Sequence, residues 1–97
     1  MTDASMNIVE KIINNIRKEI EDNEYRLSNS IEKEKHELSL VSRLAGQENN
    51  HYEIAQALAI TNDCREDRAM NHGRIESLKK TLAFVEELML EESMKKD

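Results

Sequence analysis

The sequence predicts an all-α protein, a long antiparallel helical hairpin whose two helices pack lengthwise in a coiled-coil-like manner. The 97 residues contain no proline and only two glycines, as expected for long uninterrupted helices. Charged residues make up 35% of the chain and aromatic residues 3%, a balance that argues against a β-rich core. Apolar residues recur every three or four positions, so we expect a single helical domain over residues 1–97.

The first helix is predicted over about residues 5–45. Its apolar positions are Val9, Ile13, Ile16, Ile20, Leu27, Ile31, Leu38, Val41 and Ala45. Several of them recur eleven residues apart, as Ile16, Leu27 and Leu38 do, which is typical of a nearly straight helix rather than a tightly supercoiled one. We therefore expect the packed side of this helix to run through Ile31 and Leu38.

A turn is predicted over residues 46–49. Gly46 is placed to end the first helix in the left-handed backbone conformation, which glycine adopts without steric penalty. Asn49 or Asn50 is placed to cap the next helix. Because so short a connection usually joins antiparallel neighbours, the chain is expected to fold back on itself here.

The second helix is predicted over about residues 50–94, and it carries the clearest pattern in the chain. Its seam consists of residues spaced alternately three and four apart: Ile54, Ala57, Thr61, Cys64, Arg68, Asn71, Ile75, Leu78, Leu82, Val85 and Met89. A three-helix bundle with a break near 61–63 is the alternative, since Asp63 and Glu66 have the spacing of a capping box. The unbroken seam favours one helix, because a reversal would have no reason to preserve its phase. Gly73 marks either a weak point or a close contact within this helix.

Folding the hairpin about residue 47 or 48 places Ile20 opposite Ile75 and brings His72 towards Asn23 and Glu24. The polar residues that this register gathers in the middle of the seam are Asn23, Glu24, Arg68 and Asn71. A Glu24–Arg68 ion pair and an Asn23–Asn71 contact are both feasible in this layer. Polar layers inside helical seams set register and oligomeric state. A waist wetted by solvent is the alternative interpretation.

Apolar residues at the end away from the turn exceed what a two-helix seam covers. Those out of phase with the seam are Ile8, Ile12, Phe84 and Leu88. We expect them to mediate self-association, in which two hairpins form a four-helix bundle as a homodimer. The same surface is alternatively reserved for a different protein. At the turn, Leu44 and Tyr52 are predicted to contact a partner, the alternative being that they only close the hairpin.

The sequence contains no pattern typical of a catalytic, cofactor or metal site. The nitrogen and sulfur candidates for metal binding are His36, His51, Cys64 and His72. No two of them lie three or four residues apart, and neither a CxxC nor an HExxH motif occurs. Arg65 and Arg68 lie near Cys64 in the sequence, but no histidine lies on an adjacent turn. We therefore expect a protein that is not an enzyme and holds no cofactor or metal.

The formal net charge is −6, which disfavours direct binding to nucleic acid or to anionic membranes. No apolar run approaches the roughly 20 residues of a transmembrane helix. We expect a cytoplasmic protein that binds another protein, as a small acidic intracellular regulator or inhibitor or a chaperone-like binder. The alternative is an acidic decoy that mimics nucleic acid and blocks a nucleic-acid-binding protein. Its carboxylates would come from two clusters: Glu19, Glu21, Asp22 and Glu24, and Glu86, Glu87, Glu91 and Glu92.

Overall fold

Two long helices account for nearly all of the fold. The computed structural model describes residues 3–47 and 50–95, except for the side chain of the first of them. Helix α1 spans Asp3–Leu44 and helix α2 spans His51–Met94. They pack along their length as a hairpin of 76 × 16 × 14 Å. The all-α hairpin predicted from the sequence is therefore confirmed.

Helix α2 runs through residues 61–63 without a break, so the three-helix alternative is wrong. The buried Thr61 hydroxyl donates a hydrogen bond of 2.9 Å to the carbonyl oxygen of Ala57. This bond satisfies the hydroxyl within the helix, so the polar Thr61 is accommodated in the seam without a chain reversal. Gly73 also lies inside the helix, and a Cβ added there would meet no atom within 4 Å. It is therefore a weak point rather than a close contact.

The turn leaves α1 differently from the expected left-handed glycine cap, since Gly46 does not adopt a positive φ. The amides of Gly46 and Gln47 instead donate to the carbonyls of Arg43 and Leu44, at 3.4 and 3.0 Å. These bonds continue the helical path to Gln47. Asn50 precedes α2, but its side chain makes no capping bond to that helix. Its Nδ2 donates to the carbonyl of Leu44 at 2.6 Å and so caps the end of α1. Asn49 lies outside the described residues.

The seam predicted for α2 is the side on which this helix packs. All eleven of its residues are buried or half-buried. The most deeply buried are Ala57, Thr61, Cys64, Asn71 and Ile75. The alternation of three and four residues keeps one side of the helix in contact with α1 over its whole length.

On α1 the packed side departs from the expected eleven-residue spacing. Leu38 is 39% exposed, whereas Glu34 is buried, with 6% of its surface exposed. Steps of seven residues from Ile13 lead to Ile20, to half-buried Leu27 and then to Glu34. Both helices therefore present the same period to each other, and a charged residue occupies a seam position on α1.

The register between the helices differs from the expected one by about one helical turn. His72 lines a groove with Leu27 and Ile31, whereas the expected register placed it beside Asn23 and Glu24. The physical reason lies in the turn, because its hydrogen bonds extend the helical path of α1 to Gln47. The chain therefore reverses later than the glycine position indicates.

Candidate functional site

Four apolar side chains at the end away from the turn are exposed, and they lie on one side of the hairpin. Ile8, Ile12, Phe84 and Leu88, here called the open-end patch, are each between 44% and 61% exposed. Each comes immediately before a buried or half-buried seam residue, as Ile12 comes before Ile13 and Phe84 before Val85. A residue one position before the seam lies about 100° to one side of it. In an antiparallel pair this direction points to the same side for both helices. The packing of α1 on α2 thus leaves this patch uncovered.

The opposite side, formed by residues that follow seam positions, carries two open grooves. The first lies at the same end as the open-end patch and has a volume of about 600 Å³. Its lining includes Asn14 and Leu90, which follow the seam residues Ile13 and Met89. Across this side Arg17 donates to Glu86 at 2.9 Å, with both side chains well exposed. A pair so open to solvent contributes little to stability.

The second groove lies further towards the turn and has a volume of about 400 Å³. The residues that line it, here called the basic groove, are Leu27, Ile31, Arg65, Arg68, Ala69 and His72. Its floor is apolar, and three of its six lining residues have basic side chains. It therefore differs in charge from the acidic chain as a whole, which carries a formal net charge of −6.

The polar layer expected in the seam is present only in part. Asn23 and Asn71 are both buried, as expected, but Glu24 is exposed. Arg68 pairs with Glu34 at 2.7 Å, so the expected Glu24–Arg68 pair is wrong. Asn23 donates through Nδ2 to the carbonyl of Glu19 at 2.7 Å, and its buried Oδ1 has no hydrogen-bond partner. The difference follows from the register, which carries Arg68 past Glu24 towards the turn.

The principal ionic contact between the helices centres on Glu34, which the sequence analysis did not single out. Its Oε1 accepts from Nε of Arg65 at 2.9 Å and its Oε2 from Nη1 of Arg68 at 2.7 Å. A buried carboxylate is tolerated here because two guanidinium groups pair with it. The signal that would have found it is its position, three heptads after Ile13.

At the turn, the two predicted partner-binding residues differ in accessibility. Leu44 is half-buried, and its carbonyl accepts the Asn50 side chain. Tyr52 is 72% exposed. The aromatic ring of Tyr52 is thus available to a partner, whereas Leu44 also takes part in closing the hairpin.

The residues considered for chemistry lie apart from one another. Cys64 is a buried free thiol in the seam, and His36, His51 and His72 are exposed. Within residues 3–47 and 50–95, no group of three His, Cys, Asp or Glu side chains is arranged to hold a metal ion. Cys64 therefore packs as a small apolar residue of the seam.

Together these features define an antiparallel two-helix hairpin with an apolar patch on one side and a basic groove on the other. Comparison with models of known protein families, with curated proteins and with solved structures gave no match. Neither described helix has a segment of the length and apolar character needed to cross a membrane.

Proposed function

We propose that this hairpin is a non-enzymatic protein-binding module that acts in the cytoplasm, as a small acidic regulator or inhibitor or as a chaperone-like binder. The observation that carries the proposal is the open-end patch. Its four large apolar side chains stand on one side of the hairpin, outside the contact between the helices. Contiguous exposed apolar surface of this kind marks interaction sites in proteins.

The surface area of the chain supports the same proposal. A compact monomer of 11.3 kDa exposes about 5,700 Å². The hairpin exposes 7349 Å², about 1,600 Å² more. Each partner in a stable interface contributes roughly 800 Å². The surface that the hairpin leaves in water is therefore large enough for a stable partner to cover.

The first partner is a second copy of the chain. A twofold arrangement buries the open-end patch of both copies against each other and completes a four-helix bundle. Burying one side chain of this size contributes about 1.5–3 kcal/mol, and two copies of four such residues offset the loss of rotational and translational freedom. Glu86, Glu87, Glu91 and Glu92 then form a polar rim around the contact.

The turn supplies a second contact in the proposed function. Tyr52 projects most of its surface into solvent next to half-buried Leu44. Aromatic side chains are favoured at protein interfaces because they bury a large area with little loss of conformational freedom. We assign Leu44 and Tyr52 to the binding of a different protein at this end.

The acidic decoy finds less support. Arg17 pairs with Glu86 and so neutralises one of the four carboxylates in the second acidic cluster. A mimic of nucleic acid needs unpaired carboxylates spaced like phosphates. The interspersed basic residues are typical of the surface of an ordinary soluble domain.

Light scattering over a concentration series tests the dimer. The wild-type chain is expected at twice its monomer mass of 11.3 kDa. Ile12→Asp combined with Phe84→Asp should convert it to the monomer and leave most of the helicity in place. The control is Asn15→Asp combined with Ser77→Asp, which adds the same charge at exposed polar positions on the same side. A monomer mass for the wild type at high micromolar concentration would exclude the dimer.

Affinity capture from cell lysate, followed by mass spectrometry at low and high salt, tests the function. A protein-binding module should retain a partner at high salt, because apolar contacts are screened little. Recovery of a nucleic-acid enzyme that dissociates as salt rises would favour the decoy instead. The variant with Asp at positions 12 and 84 separates capture by the open-end patch from capture by the turn.

A further inference from the structure

We propose that the basic groove binds an amphipathic helix of another protein, one that carries carboxylates beside its apolar stripe. This inference rests on the proposed function, protein binding, and adds a second surface on the side opposite the open-end patch. The juxtaposition that carries it is an apolar floor of Leu27, Ile31 and Ala69 beneath the basic side chains of Arg65, Arg68 and His72.

The shape of the surface fits a helix. Leu38 lies seven residues after Ile31, and Leu58 lies seven residues before Arg65, so both occupy the same side of the hairpin as the groove. Both leucines are substantially exposed, at 39% and 44%. From Leu27 to Leu38 the apolar strip runs about 16 Å, or three helical turns. A helix that docks in a groove uses apolar anchors over this length, spaced three and four residues apart.

The charge of the groove selects the polar residues of that helix. Arg65 contacts Glu34 through Nε and Arg68 contacts it through Nη1, while 54% and 42% of their side chains stay exposed. A guanidinium has five N–H donors, so these contacts leave donors for a ligand. Two guanidinium groups and one carboxylate also give a net positive charge, and none of the six lining residues is acidic. Carboxylates on the incoming helix complement this rim.

Glu34 prepares the groove for such a partner. Its buried carboxylate holds both arginines against α1, so less side-chain freedom is lost when a partner binds. The groove and the open-end patch lie on opposite sides of the hairpin. Both can therefore be occupied at the same time, so a dimer would present two such grooves.

Two designed peptides test the proposal. Both have about 14 residues and leucines spaced three and four apart; one carries glutamates beside the leucines and its twin carries lysines at the same positions. Titration of the isotope-labelled protein by NMR should show the glutamate peptide binding about tenfold more tightly than the lysine peptide. The shifted amides should fall within residues 27–38 and 58–72.

Ala69→Glu places a carboxylate in the groove and should weaken binding of the glutamate peptide about tenfold. Residue 69 is exposed on a helix, and the new side chain lies four residues after Arg65, so the variant should fold. Ala83→Glu is the matched control, because it makes the same change at an exposed alanine fourteen residues later on the same side of α2. It should leave binding unchanged.

Three results would overturn the proposal. They are equal affinity for the two peptides, no binding at about 1 mM glutamate peptide, and a lower solution mass for Ala69→Glu, which would make the groove a contact between copies of this chain. Any of these, together with an intact dimer and a salt-resistant captured partner, would leave the proposed function standing. Loss of the dimer and of the captured partner, with peptide binding retained, would have the opposite meaning.

Discussion

The two halves of the hairpin use the same seam in different ways. In the half away from the turn, the buried positions are aliphatic: Ile13, Ile20 and Ile75. In the half near the turn they are small or polar, with Ala57, Thr61, Cys64 and Glu34 buried. The buried Asn23 and Asn71 lie in the middle portion of the hairpin.

The difference separates affinity from specificity. Aliphatic burial is not directional, and in the far half it goes with the surplus of apolar side chains that forms the open-end patch. Near the turn, Thr61 bonds to its own helix and Glu34 bonds to two arginines on the facing helix. Such directional contacts hold one alignment of the helices better than aliphatic contacts do. We therefore expect the turn half to fix the register and the far half to promote association.

The largest expected effect comes from Arg65→Ala combined with Arg68→Ala. Removal of both partners leaves the Glu34 carboxylate buried and unpaired, which costs about 3–5 kcal/mol of unfolding free energy. Urea denaturation followed by circular dichroism measures the loss. A loss below about 1 kcal/mol would mean that water reaches Glu34 and that the turn half does not depend on this cluster.

Glu34→Leu is the companion variant. An apolar residue of similar size in place of a buried charge is often neutral or stabilising. We expect stability to be kept while the alignment of the helices becomes less well defined, which distance measurements between spin labels on α1 and α2 would detect. A single sharp distance in this variant would contradict the role given to the turn half.

The next effect is at the layer between the halves. Asn23→Leu removes the buried Oδ1 that has no hydrogen-bond partner and should raise the unfolding free energy by about 1–3 kcal/mol. Asn71→Leu should raise the melting temperature by less, because among the described residues its side chain has no such buried unpaired atom. Light scattering on both variants checks whether the oligomeric state changes with the polar layer. A lower melting temperature for Asn23→Leu would point to a partner for Oδ1, such as a bound water.

Gly73→Ala should stabilise the middle of α2 by about 1 kcal/mol, because alanine has the higher helix propensity and nothing would touch its Cβ. Ala69→Gly, at an exposed position four residues earlier, should lower the stability by a similar amount. Thermal unfolding of the pair measures both changes. Unequal magnitudes would show that one of the two positions makes a contact in solution.

The smallest effect on stability is expected at the turn. Tyr52→Ala should change the unfolding free energy by less than about 0.5 kcal/mol, because the side chain is largely in solvent. The same variant should weaken the affinity for a captured partner, as measured by isothermal titration calorimetry. A clear loss of stability with unchanged affinity would show that Tyr52 only closes the hairpin.

The seam of α2 could be predicted residue by residue, whereas the packed side of α1 could not. On α2 the three-and-four spacing is continuous from Ile54 to Met89, even where Arg68 and Asn71 interrupt the apolar residues. On α1 the apolar residues Ile31 and Leu38 suggested one phase, and the charged Glu34 concealed another. Hydrophobicity alone misassigns a seam position when its occupant is charged and its partners lie on another helix.

The open-end patch was also readable from the sequence, because its four residues fall one position before the seam on either helix. The basic groove was not readable, since Leu27 and Ile31 meet Ala69 and His72 only in the folded hairpin. No spacing within one helix indicates that contact.

The sequence by itself determined the two helices, the single reversal and the phase of α2, because helix propensity and side-chain periodicity act over a few neighbouring residues. Only the tertiary structure decided the axial register, and with it the pairing of Glu34 with Arg65 and Arg68. The reason is that register depends on where the chain leaves its helical path. The hydrogen bonds of Gly46 and Gln47, and the Asn50 side chain on Leu44, set that point. A displacement of one turn there changes the partner of every residue on the facing helix.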